Sequence, residues 1–219
     1  MASPLRGDGE HLPAPTSGSA AMPHGLKMPD ADRLAPVWDE PLHVAGAGRA
    51  PVFWMLGAHG GAGASTLARA WAPAGNALRS WPSADRFPLV VVVARPHITG
   101  LRAAHDLVLQ ATARQIGGCV FLGLVTVADV PGKLPSTLRR RLDVVETAAR
   151  TAGGQTWQLP YIPEYRVTEP EQMPVWDPTA PAPEQTSRWK RSEAPAQAAP
   201  EIAAVGADIF AAAREAVTR

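Results

Sequence analysis

Residues 52–56 read VFWML, residues 57–66 read GAHGGAGAST and residues 67–71 read LARAW. The first run is continuously apolar, which predicts a buried strand, and the last run is helix-prone. Between them lies a glycine-rich loop that ends in the hydroxyl pair Ser65 and Thr66. In such an arrangement the backbone N–H groups of the loop and the start of the helix face an anion. The stretch therefore predicts a phosphate-binding loop in an α/β domain.

The loop lacks the lysine that a working phosphate-binding loop carries. In the pattern G-x-x-x-x-G-K-[ST] this lysine reaches the β- and γ-phosphates. Ala64 occupies its place here, between Gly63 and Ser65. The sequence thus keeps the shape of the loop and loses its charge, which makes hydrolysis doubtful.

The loop resembles the deviant P-loop of the ParA/MinD family, K-G-G-x-G-K-[ST]. Eight positions correspond to the signature lysine, the G-G-x-G run, the second lysine, the magnesium-binding hydroxyl and the residue after it. In that order they are His59, Gly60, Gly61, Ala62, Gly63, Ala64, Ser65 and Thr66. Both lysines are therefore replaced. The resemblance implies weak binding of ATP or ADP at these positions, with Mg²⁺ on Ser65.

Later segments are also similar to this family, and together the similar part runs from residue 52 to about residue 176. Residues 121–127 are similar to the strand that ends in a base-contacting asparagine, where this chain has Val127. Residues 159–164, LPYIPE, are similar to the I-P-x-D segment beside the base. Only residues 73–88 stand where the family has the two strands that carry its switch regions. The resemblance thus implies a shortened, hydrolysis-deficient relative.

The rest of the domain alternates apolar segments with helix-prone ones. Strands are predicted near 52–56, 89–94, 119–127 and 156–162, and helices near 65–72, 100–116 and 136–151. Ser136 or Thr137 is a candidate cap of the last helix, which Gly153 and Gly154 end. We therefore predict an α/β fold, with a parallel sheet of about four or more strands covered by helices on both faces.

Ligands of such sheets bind at the carboxyl ends of the strands, which places Arg95 on the same rim as the glycine loop. Arg95 either supplies the charge that Ala64 lacks or bridges to Asp129, Glu164 or solvent. His59 either faces an anion or is a surface turn residue. Neither pair of alternatives is decided by the sequence.

Four regions follow from composition: a disordered tail over 1–48, the α/β domain over 49–176, a Pro/Ala-rich linker over 177–200, and a helix over 201–219. An ordinary tail is favoured over a docking segment at residues 36–38. For the C-terminal helix, packing on the domain is favoured over contact with a partner.

The remaining features exclude several classes of protein. The chain has 219 residues, a net charge of +1 and a single cysteine, Cys119. It has no apolar run of about 18 residues and no secretory signal, so we expect a cytoplasmic protein without a membrane span. Lys133 and residues 139–141 are the only basic cluster, and a solvated helix face explains them better than a nucleic-acid site.

Three functions remain open. The favoured one is a ParA/MinD-like accessory protein of partition, conjugation, positioning or secretion that binds nucleotide weakly, if at all, and contacts a cytoplasmic protein partner. The second is an active ATPase that uses Arg95 or a partner's residue in place of the lysine. The third is a nucleic-acid-associated accessory protein. We expect no nucleotide-driven homodimer, because His59 cannot reach as the signature lysine does.

Overall fold

The computed structural model describes residues 27–40, 42, 50–84, 88–180 and 197–218. Within them, five parallel strands form one sheet with the order β2-β1-β3-β4-β5. The strands are β1 (Phe53–Gly57), β2 (Ala74–Asn76), β3 (Leu89–Ala94), β4 (Val120–Val127) and β5 (Gln155–Leu159). The helices are α1 (Ala64–Ala70), α2 (Ile98–Thr112), α3 (Ser136–Thr151) and α4 (Pro200–Thr218). The predicted α/β class is confirmed.

Helices cover both faces of the sheet, because alternate residues of the central strands are apolar on both sides. One core joins Leu56, Val92 and Leu124 to α2 and α3. The other joins Met55 and Val93 to α1 and α4. Strands buried on both faces need such continuous apolar sequences, which is why β3 reads LVVVVA.

Of the two predictions about the ends of α3, the one for its start was wrong and the one for its end was confirmed. α3 begins at Ser136, and its capping position is Pro135 with no side-chain hydrogen bond, so the prediction of a Ser136 or Thr137 cap was wrong. The end of α3 agrees with the sequence: Gly153 has φ 86°, and the backbone N–H of Gly154 donates to the carbonyl of Ala149. Glycine is suited to this left-handed position.

α4 packs on the domain, as the sequence favoured. Ile202 and Ile209 are buried in the core beneath the sheet. The indole Nε1 of Trp71 donates to the carbonyl oxygen of Ile202 at 2.8 Å. A Cβ on Gly206 would lie 2.6 Å from Trp71 Nε1 and 2.9 Å from Trp176 Cε3. Only glycine therefore lets α4 approach the two tryptophans closely.

Gly206→Leu is expected to destabilise the protein by about 1–3 kcal/mol, because the added side chain overpacks the contact with Trp71 and Trp176. Ala207→Leu is the matched control, since Ala207 is exposed on the same helix, and it should change stability by less than about 0.5 kcal/mol. Urea unfolding followed by tryptophan fluorescence measures both. Equal stabilities of the two variants would contradict this account of the α4 contact.

The predicted tail needs revision where it is described. Residues 33–38 lie against the domain and do not form a free tail: Arg33 pairs with Asp106, and Val37 forms a parallel bridge with Trp81. Residues 1–26, 41 and 43–48 of the predicted tail lie outside the described residues. The same is true of 181–196 in the predicted linker.

Candidate functional site

The glycine loop follows β1, at the point where the connections that leave β1 and its neighbour β3 run to opposite sides of the sheet. β1 leads through α1 to β2 at one edge of the sheet, whereas β3 leads through α2 to β4 on the other side. The two helices cover opposite faces. Such a switch point leaves a crevice at the carboxyl ends of the strands, where α/β proteins bind ligands. The loop is joined to this edge by the backbone N–H of Ala58, which donates to the carbonyl of Val93 at 2.9 Å.

A cavity of about 310 Å³ opens at this edge. It is bounded by the start of α1, the residues that follow β3, β4 and β5, and the start of α4. The lining residues are Gly63, Thr66, Leu67, Arg95, Val127, Ala128, Asp129, Leu159, Pro160, Tyr161, Ile162, Tyr165, Arg166 and Ile202. Its volume is at the lower end of the range typical of small-molecule sites.

Arg95 ties the loop to the end of β4 and also lines the cavity. Its Nε–H donates to the carbonyl of Gly61 at 2.9 Å, and its Nη1 donates to the carbonyl of Ala128 at 3.3 Å. The sequence left open a bridge to Asp129 or Glu164, but the structure pairs the guanidinium with main-chain oxygens. Because carbonyl groups do not neutralise it, the guanidinium keeps a net positive charge at the wall of the cavity.

The ring of His59 is held in its neutral form. Its Nε2 accepts the backbone N–H of Arg95 at 3.1 Å, and since that amide can only donate, Nε2 carries no proton. Nδ1 then carries the proton and donates to the carbonyl of Gly60 at 2.8 Å. Burial lowers the pKa of His59, the hydrogen bond to the carbonyl of Gly60 partly offsets this, and the neighbouring His97, Arg95 and Arg79 lower the pKa further. His59 therefore acts as an internal brace of the loop and not as a cation in place of the signature lysine.

Gly100 leaves room for His97 and the start of α2 to pack against the ring of His59. The rings of His59 and His97 meet edge to face with centroids 4.7 Å apart. A Cβ on Gly100 would lie 2.5 Å from the carbonyl oxygen of Arg95 and 2.8 Å from Nε2 of His59. His97 caps α2 by accepting the backbone N–H of Gly100. A larger residue at position 100 would displace the main chain of Arg95.

Acidification from about pH 7.5 to about pH 5.5 is expected to lower the free energy of unfolding more in the wild type than in His59→Gln. The folded pKa of His59 lies below its ordinary value of 6.5, so the unfolded chain binds more protons. The stabilisation is complete above 6.5 and is lost as the pH falls through the folded pKa. Burial also lowers the pKa of His105, but both proteins retain that group. Urea unfolding at the two pH values measures the difference. Equal losses of unfolding free energy in the wild type and in His59→Gln would contradict the assignment of His59 as a neutral, internally bonded ring.

The structure brings only part of the predicted set to the cavity: Gly63, Thr66 and Arg95 line it. His59, Gly60, Gly61 and Ala62 form the loop beside it. Ala64 is 7% exposed and packs in the core. Ser65 is exposed, and its Oγ accepts a hydrogen bond from Nδ2 of Asn76 at 2.9 Å.

Ser65, the residue predicted to bind Mg²⁺, is not among the residues that line this cavity. Among the described residues, no group of three or more His, Cys, Asp or Glu side chains is placed to hold a metal ion.

Several lining residues were not predicted as site residues. Tyr165 is one of them: its hydroxyl is buried and has no hydrogen-bond partner among the described residues, and burial raises its pKa. Ile202 comes from α4, far along the chain. The similarity of residues 159–164 to a segment beside the base pointed to the neighbourhood of Tyr165. No pattern in the sequence pointed to Ile202, since its place depends on how α4 docks.

Comparisons with protein-family models, curated proteins and solved structures find no match to this chain. No helix in the described parts of the chain combines the length and apolar character needed to cross a bilayer.

Proposed function

We propose that this protein binds a nucleotide, or a closely related phosphorylated ligand, without efficient hydrolysis, and that it works as an accessory protein. The observation that carries the proposal is the composition of the cavity wall. One cavity joins the end of the glycine loop, at Gly63 and Thr66, to the guanidinium of Arg95 and to the residues after β4 and β5. These are the segments that the family resemblance assigns to phosphate and base.

The cavity has two chemically different parts, which match the two parts of a nucleotide. Gly63, Thr66 and Arg95 offer a glycine main chain, a hydroxyl and a positive charge, the groups that proteins use to bind phosphate oxygens. The remaining wall has many apolar side chains, among them Leu67, Val127, Leu159, Ile162 and Ile202, and it also carries Asp129, Arg166, Tyr161 and Tyr165. An apolar wall with few polar groups suits a planar, weakly polar group such as a nucleoside base.

Efficient hydrolysis would need charge at the phosphoryl group as it is transferred. Removal of one such donor typically costs about 100- to 1,000-fold in rate. Ala64 and His59 replace both family lysines, and His59 is held neutral by Arg95 and Gly60. Arg95, a cation at the cavity wall beside the loop, already donates to two carbonyl groups. These features favour binding over turnover, and they favour the accessory role over the ATPase.

The cellular role follows from the resemblance alone. Relatives of this kind work in partition, conjugation, positioning or secretion, and a hydrolysis-deficient member would work there through contacts with a cytoplasmic protein partner. We propose this role for the present chain. The site does not call for a nucleotide-driven homodimer, because the neutral ring of His59 is directed to Arg95 of its own chain.

Calorimetric titration of the full chain with ATP, ADP and GTP, each with and without Mg²⁺, tests the proposal. Saturable binding of at least one nucleotide is expected, with little dependence on Mg²⁺ because Ser65 does not line the cavity. The matched variants Arg95→Ala and Arg95→Lys test the charge: the alanine variant should bind at least about 10-fold more weakly than the lysine variant. Absence of binding at millimolar nucleotide would overturn the proposal and leave the loop a structural element.

A further inference from the structure

The carboxylate of Asp129 lines the cavity at the glycine loop and has no partner in the described parts of the chain. Asp129 is half-buried and belongs to the part of the wall that follows β4. Neither an ion pair nor a hydrogen bond among the described residues involves its side chain. Because Arg95 donates to main-chain carbonyls instead, the carboxylate is available to a ligand.

The main chain next to Asp129 is held from two neighbouring strands. The N–H of Ala128 donates to the carbonyl of Leu159, the last residue of β5, at 3.0 Å. The carbonyl of Ala128 accepts Nη1 of Arg95, which follows β3, at 3.3 Å. A carboxylate on a main chain that is already fixed loses little conformational freedom when a ligand binds. It can therefore discriminate between ligands by the arrangement of their donors.

The order of the strands places Asp129 away from the phosphate end of the cavity. The glycine loop follows β1, Arg95 follows β3 and Asp129 follows β4, and these strands are neighbours in that order. Neighbouring strands lie about 4.8 Å apart, so the end of β4 is about 10 Å from the end of β1. On the function proposed above, a nucleotide whose phosphates lie at the loop and Arg95 presents its base to Asp129.

The charge of the cavity disfavours a cationic group as the partner of Asp129. Arg95, Arg166 and Asp129 are the charged residues that line it, so its wall carries a net positive charge. Such a wall repels an ammonium group. Neutral N–H groups suit the carboxylate better, because an ionised carboxylate only accepts hydrogen bonds and accepts them strongly.

Among the common nucleoside bases, guanine alone offers a carboxylate two adjacent N–H donors, at N1 and at the 2-amino group. Adenine and cytosine each place a ring-nitrogen acceptor beside the amino group, and uracil flanks its N–H with two carbonyl oxygens. A carboxylate bonds one donor of these bases and repels the acceptor beside it. We propose that Asp129 determines the specificity of the cavity and that the ligand is a guanine nucleotide. The inference rests on the proposed function and names the base.

Other lining residues meet the remaining needs of guanine. Its carbonyl O6 requires a donor, and the guanidinium of Arg166 and the hydroxyl of Tyr161 line the same part of the cavity. Its flat ring requires an apolar surface, which Leu159 and Ile162 supply in the adjoining wall. Adenine would find the same surface, but its N1 acceptor would face the carboxylate of Asp129.

Calorimetric titration of the full chain with GDP, ADP and IDP tests the inference. IDP differs from GDP only in lacking the 2-amino group, so it offers Asp129 one donor in place of two. GDP is expected to bind at least about 10-fold more tightly than ADP and at least about threefold more tightly than IDP. Equal binding of GDP and ADP would overturn the inference and leave nucleotide binding in place. Absence of binding by every nucleotide would overturn the proposed function and the inference with it.

The variant Asp129→Asn assigns the preference to its residue. An amide offers one acceptor and one donor, which suits the N1–H and the 2-carbonyl of xanthine and not the two donors of guanine. This variant should lose at least about 10-fold in affinity for GDP and should bind XDP more tightly than GDP. Asp143→Asn is the matched control: Asp143 is exposed on α3 and does not line the cavity, so its affinity for GDP should stay within about threefold of the wild type. A folded Asp129→Asn protein that keeps the wild-type preference for GDP would overturn the role of Asp129.

Discussion

Gly63→Val is expected to lower the affinity of the cavity for ADP by more than about 100-fold. Gly63 lines the cavity and has φ 102° and ψ 2°, a left-handed conformation that costs an L-residue about 1–2 kcal/mol. A Cβ at this position would lie 3.8 Å from Cγ2 of Val127. Valine therefore strains the loop and also narrows the gap between the loop and the end of β4.

Gly60→Ala is the control for this prediction. Gly60 lies in the same loop, but a Cβ there meets no atom within 4 Å. The affinity of the Gly60→Ala protein for ADP should therefore stay within about threefold of the wild type. Calorimetry measures the affinities, and thermal melts without ligand separate the loss of binding from a loss of folding. A folded Gly63→Val protein that binds ADP like the wild type would show that the ligand does not approach this glycine.

The wild type is expected to show no ATP turnover above background, against a typical enzymatic rate of about 1 per second or more. Two charged donors are absent, and each loss is on the order of 100- to 1,000-fold. Ala64 is buried in the core, Ser65 is bonded to Asn76, and Arg95 is bonded to the carbonyls of Gly61 and Ala128.

A phosphate-release assay with purified full chain makes this measurement, and Arg95→Ala and Ser65→Ala identify the source of any activity. Turnover near 1 per second that disappears in Arg95→Ala would establish the ATPase alternative, with Arg95 in the place of the lysine. Turnover that persists in both variants would point to a contaminating enzyme.

The long apolar segments made most of the fold predictable from the sequence. Residues 89–94 and 136–151 were predicted with the bounds that β3 and α3 have. β2 was not predicted, because Ala74, Gly75 and Asn76 carry no apolar pattern. Its place depends on pairing with β1 and on the close approach of Gly75 to Trp54, where a Cβ would lie 2.7 Å from the indole ring.

Within the candidate site, the sequence could place a residue only where the end of a single strand determines its position. Arg95 follows a strand buried on both faces, so the sequence placed it on the rim correctly. The role of His59 was not predictable, because it depends on a bond to the main chain of Arg95 across the crevice. The contact of residues 33–38 with the domain was not predictable either, because these residues have no periodicity of their own. They are held by Asp106 and Gln110, more than 70 residues away along the chain.

The most direct test of the central claim is an amide chemical-shift map of the isotope-labelled full chain titrated with ADP. The account predicts saturable shifts concentrated at Gly63, Thr66, Arg95 and Ala128, with the indole N–H of Trp71 responding little because it is bonded to Ile202. Shifts confined to residues outside the cavity, or no saturable shift at millimolar ADP, would contradict the claim that this cavity binds a nucleotide.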